Sequence, residues 1–103
     1  MNNRVKIAYE FANAIDCDKI NKIILFGSVA RGEDRKDSDI DILIVSDYWE
    51  EIDPVICDAV GDIVFDSQEL ISPHIVSVDR FNHAKDYSFL TNVLEEGIFL
   101  TRS

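Results

Sequence analysis

An α/β layer structure, in which helices cover one face of a small mixed β-sheet, is predicted by three observations. Two short runs of branched apolar residues, KIILFG at 22–27 and IDILIV at 40–45, read as central strands. One amphipathic segment precedes them and two more follow, separated by a third strand-like run. The resulting order of helix, strand, loop, strand, helix, strand and helix is that of a layered α/β (α+β) domain.

Residues 4–15, RVKIAYEFANAI, set Ala8, Phe11, Ala12 and Ile15 at three- and four-residue spacing, the period of an amphipathic helix, with Asn2 or Asn3 able to cap it. That apolar face is expected to pack on the sheet. Between the two central runs, GSVARGEDRKDSD is rich in Gly, Asp and Ser, which suits a turn and a short helix rather than another strand. Asp53-Pro54 signals a helix start, because Asp can cap free amides and the missing N–H of Pro costs nothing in a first turn. Ile56, Ala59, Val60, Ile63 and Val64 continue it as one apolar stripe. ISPHIVSV at 71–78 reads as the third strand, with Pro73 at its beginning or on a sheet edge. DYSFLTNVLEE at 86–96 reads as the last helix, with Phe89, Leu90, Val93 and Leu94 inward and Gly97 as its stop, and a short IFL tail follows.

The 103 residues, 47% of them hydrophobic, suffice for one compact domain spanning 1–103 and are too few for two. No run approaches the roughly 20 apolar residues of a membrane span, and MNNRVKIAYE lacks a signal-peptide pattern, so a cytoplasmic protein without a membrane partner is expected. Cys17 and Cys57 stand alone, without metal-ligand or disulfide spacing, and read as buried or half-buried thiols. The formal charge of −10 repels a phosphate backbone, which disfavours a long nucleic acid. It does not exclude a nucleotide, whose triphosphate a divalent cation can neutralise together with carboxylates, and it would attract a basic protein.

The chemistry centres on Asp39 and Asp41 in SDIDILIV. Side chains alternate along a strand, so both carboxylates point to one face and Ile40 and Ile42 to the other. Two like charges so close repel, and a divalent cation such as Mg²⁺ is a natural compensator. Alternation alone equally allows an ordinary acidic, solvent-exposed sheet face. Gly27-Ser28, at the end of the preceding strand, adds a glycine that lets backbone approach a ligand, a hydroxyl, and a helix start suited to phosphate. By itself such a turn is also a common strand-to-helix connection.

Taken together, GSVARGEDRKDSDIDILI resembles the signature of the DNA polymerase beta type nucleotidyltransferase superfamily: a Gly-Ser turn, ten intervening residues, then Asp-x-Asp. The chain length is most similar to that of the minimal nucleotidyltransferases, among them the antitoxin partners of HEPN-domain toxins. The resemblance implies the polymerase beta-like fold, with Gly27 and Ser28 on the phosphates of ATP or another nucleoside triphosphate. It implies Asp39 and Asp41 as catalytic ligands of Mg²⁺, with two ions able to take part. Arg31 reads either as a further contact to the triphosphate or as a solvated partner of Glu33 or Asp34. The implied reaction moves AMP, or another nucleotidyl group, onto a hydroxyl acceptor, with a HEPN toxin as expected partner and a homo-oligomer left open.

The superfamily usually adds a third carboxylate from a neighbouring strand, and here the sequence departs from it. ISPHIVSV holds no acid; it offers Ser72 and His74 on one alternating set, with Glu69 before and Asp79 after. His74 reads either as a replacement for that acid or as an ordinary half-buried residue. The departure keeps a second function open, a nucleotide-binding module that neutralises its partner by covering it. Tyr48, Trp49, Glu50, Glu51 and Asp53 form either a partner-facing patch or a loop and helix cap.

Overall fold

The computed structural model describes residues 3–101. The chain begins with α1 (Asn3–Ile15), whose buried Ile7, Ala8, Phe11, Ala12 and Ile15 are the predicted stripe with Ile7 added. Asn3 is part of the helix, and the alternative cap, Asn2, lies outside the described residues. The two central runs form β1 (Lys22–Phe26) and β2 (Ile40–Val45), antiparallel neighbours with Phe26 opposite Asp41. Between them stands α2 (Gly27–Arg31), followed by a left-handed Gly32.

The second long helix, α3 (Trp49–Ser67), starts one turn earlier than Asp53-Pro54 suggests. Ile52 is buried, and the amides of Glu51 and Ile52 donate to the Tyr48 carbonyl, so packing recruits the extra turn. Pro54 then sits inside the helix, past its first turn, where its missing N–H gives up one i→i−4 hydrogen bond. Strand β3 (Ile71–Val76) lies parallel to β2 on the sheet edge, as Pro73 suggests, with Asp41 opposite Ser72 and Leu43 opposite His74.

The C-terminal third differs most from expectation. The predicted strand stops at Val76, because Ser77 caps a short helix, α4 (Val78–Asn82), its side chain accepting from the Arg80 amide. A 3-10 turn (Ala84–Asp86) leads to α5 (Ser88–Glu96), where Leu90 and Val93 are buried while Phe89 and Leu94 stay exposed. Gly97 ends α5 for a steric reason, since a Cβ there would meet Ile24 Cγ2 at 2.5 Å. The tail becomes a short edge strand, β4 (Ile98–Phe99), giving the sheet order β3-β2-β1-β4.

Two apolar clusters flank this mixed sheet. Ile23, Leu25, Ile40, Ile42 and Ile44 face α1 and α3. Ile24, Phe26, Leu43 and Val45 face the opposite way, onto Phe81, Ala84, Leu90 and Val93. Helices therefore cover the expected face and also part of the second one. The expectation of cover on one face alone is corrected, because the alternate residues of both central strands are as apolar as their neighbours and need a layer of their own. Cys17 and Cys57 are exposed rather than buried. Among the described residues no helix is long and apolar enough to cross a membrane.

Candidate active site

The carboxylates sit where β2 leaves the loop that precedes it. Asp39 is exposed and Asp41 half-buried, on the face shared with Leu43 and Val45. The antiparallel register with β1 brings Asp41 beside the turn from Phe26 into Gly27. Gly27 has φ +76°, and a Cβ built on it would lie 2.4 Å from Asp41 Oδ2. A side chain at this position would occupy the space that the carboxylate fills, and the left-handed backbone independently favours glycine. The first half of the sequence motif is thus pressed against the second.

Ser28 starts the following turn, its carbonyl accepting from the Glu33 amide at 2.8 Å. No side chain caps the N-terminus of α2. Arg31, at the other end of α2, donates to Glu33 Oε2 at 3.1 Å and to Glu96 Oε2 at 2.9 Å, tying α2 to the end of α5. Of the two partners weighed from the sequence it takes Glu33 and not Asp34. Arg31 also acts electrostatically on Asp41.

Burial pushes the Asp41 carboxyl above its ordinary value. The nearby His74 pulls it down, Asp39 pushes it up and Arg31 pulls it down, so desolvation prevails over the opposing charges. His74 reaches across from β3, its Nε2 standing 3.9 Å from Asp41 Oδ1 and 3.5 Å from Ser72 Oγ. Phe26 and Phe89 pack on the imidazole edge to face or tilted, with ring centroids at 5.3 and 5.9 Å. Beside it opens a cavity of about 360 Å³ lined by His74, Val76, Arg80, Tyr87 and Phe89 among others.

Gly27, Ser28, Arg31, Asp39 and Asp41 thus gather at one end of the β1-β2 pair. Alternation in ISPHIVSV already puts Ser72 and His74 on one face, but only the parallel register shows that it is the Asp41 face. Arg4 and Glu96 carried no local signal. Arg4 donates to Glu69 at 2.7 Å, to Asp34 at 2.9 Å and to the carbonyls of Arg35 and Lys36, holding the loop that leads into Asp39. Two hard carboxylates, one of them raised by burial and seated against a bare glycine, are a donor set that suits a divalent cation. Among the described residues no three His, Cys, Asp or Glu side chains converge, so such an ion would need oxygens from a ligand or water as well.

Comparison with known proteins bears on the family and the fold. The chain is 43% identical over 98 residues to putative protein adenylyltransferase MJ0604 of Methanocaldococcus jannaschii, with 92% of this chain and 95% of the relative covered. Its fold is similar to that in a crystal structure of a toxin-antitoxin with AMP-PNP, at a TM-score of 0.54 and 18% identity, covering 98% of this chain and 73% of the other. It is similar also to a chain in the structure of a mutant toxin-antitoxin, MntA-HpeT, at a TM-score of 0.56 and 17% identity, covering 100% of this chain and 75% of the other. Residues 10–98 match the nucleotidyltransferase domain, and the chain belongs to that family.

Proposed function

We propose that the chain transfers AMP from ATP to a hydroxyl on a partner protein, with the Asp39-Asp41 pair as the metal-binding and catalytic centre. The observation that carries this reading is the seating of the Asp41 carboxylate against Gly27, which leaves no room for a Cβ where the phosphate turn meets the carboxylates. Support for protein as the acceptor comes from the M. jannaschii relative, whose name describes adenylyl transfer to protein. Support for a toxin as that protein, of the HEPN type by the sequence resemblance, comes from the toxin-antitoxin structures of the same fold.

In this reading Gly27 brings bare backbone and Ser28 a hydroxyl to the triphosphate, while Arg31 exchanges Glu33 and Glu96 for a phosphate oxygen. Asp39 and Asp41 hold Mg²⁺, which when bound neutralises the triphosphate and polarises the reacting phosphoryl group. The acceptor oxygen attacks the α-phosphorus in line. A new oxygen-phosphorus bond forms, the bond to pyrophosphate breaks, and the hydroxyl proton leaves to solvent. Phe26 and Phe89 pack edge to face at 5.3 Å and both lie against His74, giving the site an apolar flank.

One observation favours a second reading. Strand β3 offers Ser72 and His74 to the site and no carboxylate, which suits a module that binds nucleotide and neutralises its partner by covering it. Intact mass of both chains, after incubation with ATP and Mg²⁺, separates the two. AMP units added to the partner, and lost in Asp39→Asn, are the expected result. Tight complex formation with no added mass would overturn transfer to that partner and leave binding as the function.

A further inference from the structure

His74 brings a nitrogen donor to a site otherwise built from oxygen. Its Nε2 lies 3.9 Å from Asp41 Oδ1, on the face where that carboxylate stands, although the backbone of His74 pairs with Leu43, two residues further along β2. Cis donors on an octahedral ion at about 2.1 Å are about 3 Å apart, so a closure of about 1 Å would let both groups share one ion. The ring is oriented for this. Phe26 and Phe89 pack against it, while Ser72 Oγ is the nearest hydroxyl at 3.5 Å. The imidazole is 43% exposed, open toward the cavity rather than sealed in the core.

We propose that His74 ligates the divalent ion beside Asp41 and thereby shifts the preference of the site from Mg²⁺ toward Mn²⁺. This deepens the functional reading above and rests on it. Mg²⁺ strongly prefers oxygen and sheds water reluctantly, whereas Mn²⁺, which stands at the foot of the first-row order of affinity and also takes oxygen ligands, is larger and softer and gives up a water for an imidazole more readily. An imidazole also carries no negative charge, so it adds a donor without adding to the repulsion between Asp39 and Asp41. A structural role for His74, as a ring packed among phenylalanines, would leave metal choice untouched.

The test uses the whole chain with Mn²⁺ and AMP-PNP, read by electron paramagnetic resonance. The chain has two histidines, so protein labelled with ¹⁵N-histidine and unlabelled nucleotide distinguishes a protein imidazole from the adenine ring. The expected result is a ¹⁵N coupling to bound Mn²⁺ that persists in His83→Gln and vanishes in His74→Gln. In competition, the Mg²⁺ excess needed to displace half the Mn²⁺ should fall about tenfold in His74→Gln, the lower end of losses seen when metal-site residues are altered. His74→Asp, an all-oxygen set, should favour Mg²⁺ further. Mn²⁺ that is bound, and released by Asp41→Asn, yet shows no histidine coupling and an unchanged Mg²⁺ competition would overturn the proposal and leave the functional reading standing. Failure of the folded wild type to bind Mn²⁺ with AMP-PNP would overturn both.

Discussion

At the scale of single residues, two glycines with nearly the same backbone separate strain from site chemistry. Gly27 has φ +76° and Gly32 has φ +72°, but a Cβ at Gly27 would meet Asp41 at 2.4 Å whereas one at Gly32 would meet nothing within 4 Å. Gly32→Ala is expected to cost about 1 kcal/mol, the ordinary penalty of a left-handed alanine, and to leave nucleotide binding nearly unchanged. Gly27→Ala adds the displacement of the carboxylate, so both stability and nucleotide binding should fall, as urea unfolding and calorimetric titration would record. Asp41 has its own signature. Burial raises its folded value, so the folded state holds its proton more tightly than the unfolded chain, and stability is lost as pH rises from the ordinary carboxylate range through the folded value. Asp41→Asn should therefore melt higher than the wild type at pH 7 without metal, with the gap closing as pH falls toward that range. A lower melting temperature for the variant at pH 7 would show that the carboxylate stabilises the apoprotein.

At the scale of elements, the loop of residues 33–39 owes its shape to a side chain on another element. Arg4, at the start of α1 and nearly buried, bonds Asp34, the Arg35 and Lys36 carbonyls, and Glu69 just before β3. Arg4→Ala should cost about 2 kcal/mol and raise amide exchange across the loop leading to Asp39; Arg4→Lys should rescue little, since an ammonium cannot reproduce the guanidinium fork. Wild-type exchange rates in Arg4→Ala would show that the loop holds itself, through bonds such as Arg35 amide to Ser38 Oγ at 2.8 Å. None of this was legible in the sequence, because these partners of Arg4 lie 30 to 65 residues away. Signals that are local in sequence fared better. The branched runs marked β1 and β2, and period-two alternation put Asp39 and Asp41 together. Where a local signal met a packing demand, packing prevailed: Ile52 extended α3 past the Asp53-Pro54 start, and Ser77 turned the end of the third strand run into a cap. The two residues of β4 were too few to carry a pattern, yet their pairing with β1 completes the sheet.

At the scale of the whole molecule, the charge of −10 sets a condition on nucleotide binding that no single contact reveals. The chain measures 34 Å along its longest axis. At about 0.01 M salt the screening length is about 30 Å, so an approaching triphosphate is repelled by nearly every acidic residue at once; at about 0.1 M it is about 10 Å, and only the site itself acts. Without divalent ions, both the net charge and the Asp39-Asp41 pair oppose ATP. Raising monovalent salt over that interval should then strengthen the weak residual binding. With divalent ions present, the pair is neutralised and the local contacts, Arg31 among them, attract phosphate, so the same increase in salt should weaken binding. Calorimetric titration of ATP in chelator and in Mg²⁺, each at the two salt concentrations, reads the sign directly. A reversal of sign between the two series is the expected outcome, and binding in chelator that weakens with salt would mean that ATP meets a basic surface instead of the carboxylate pair.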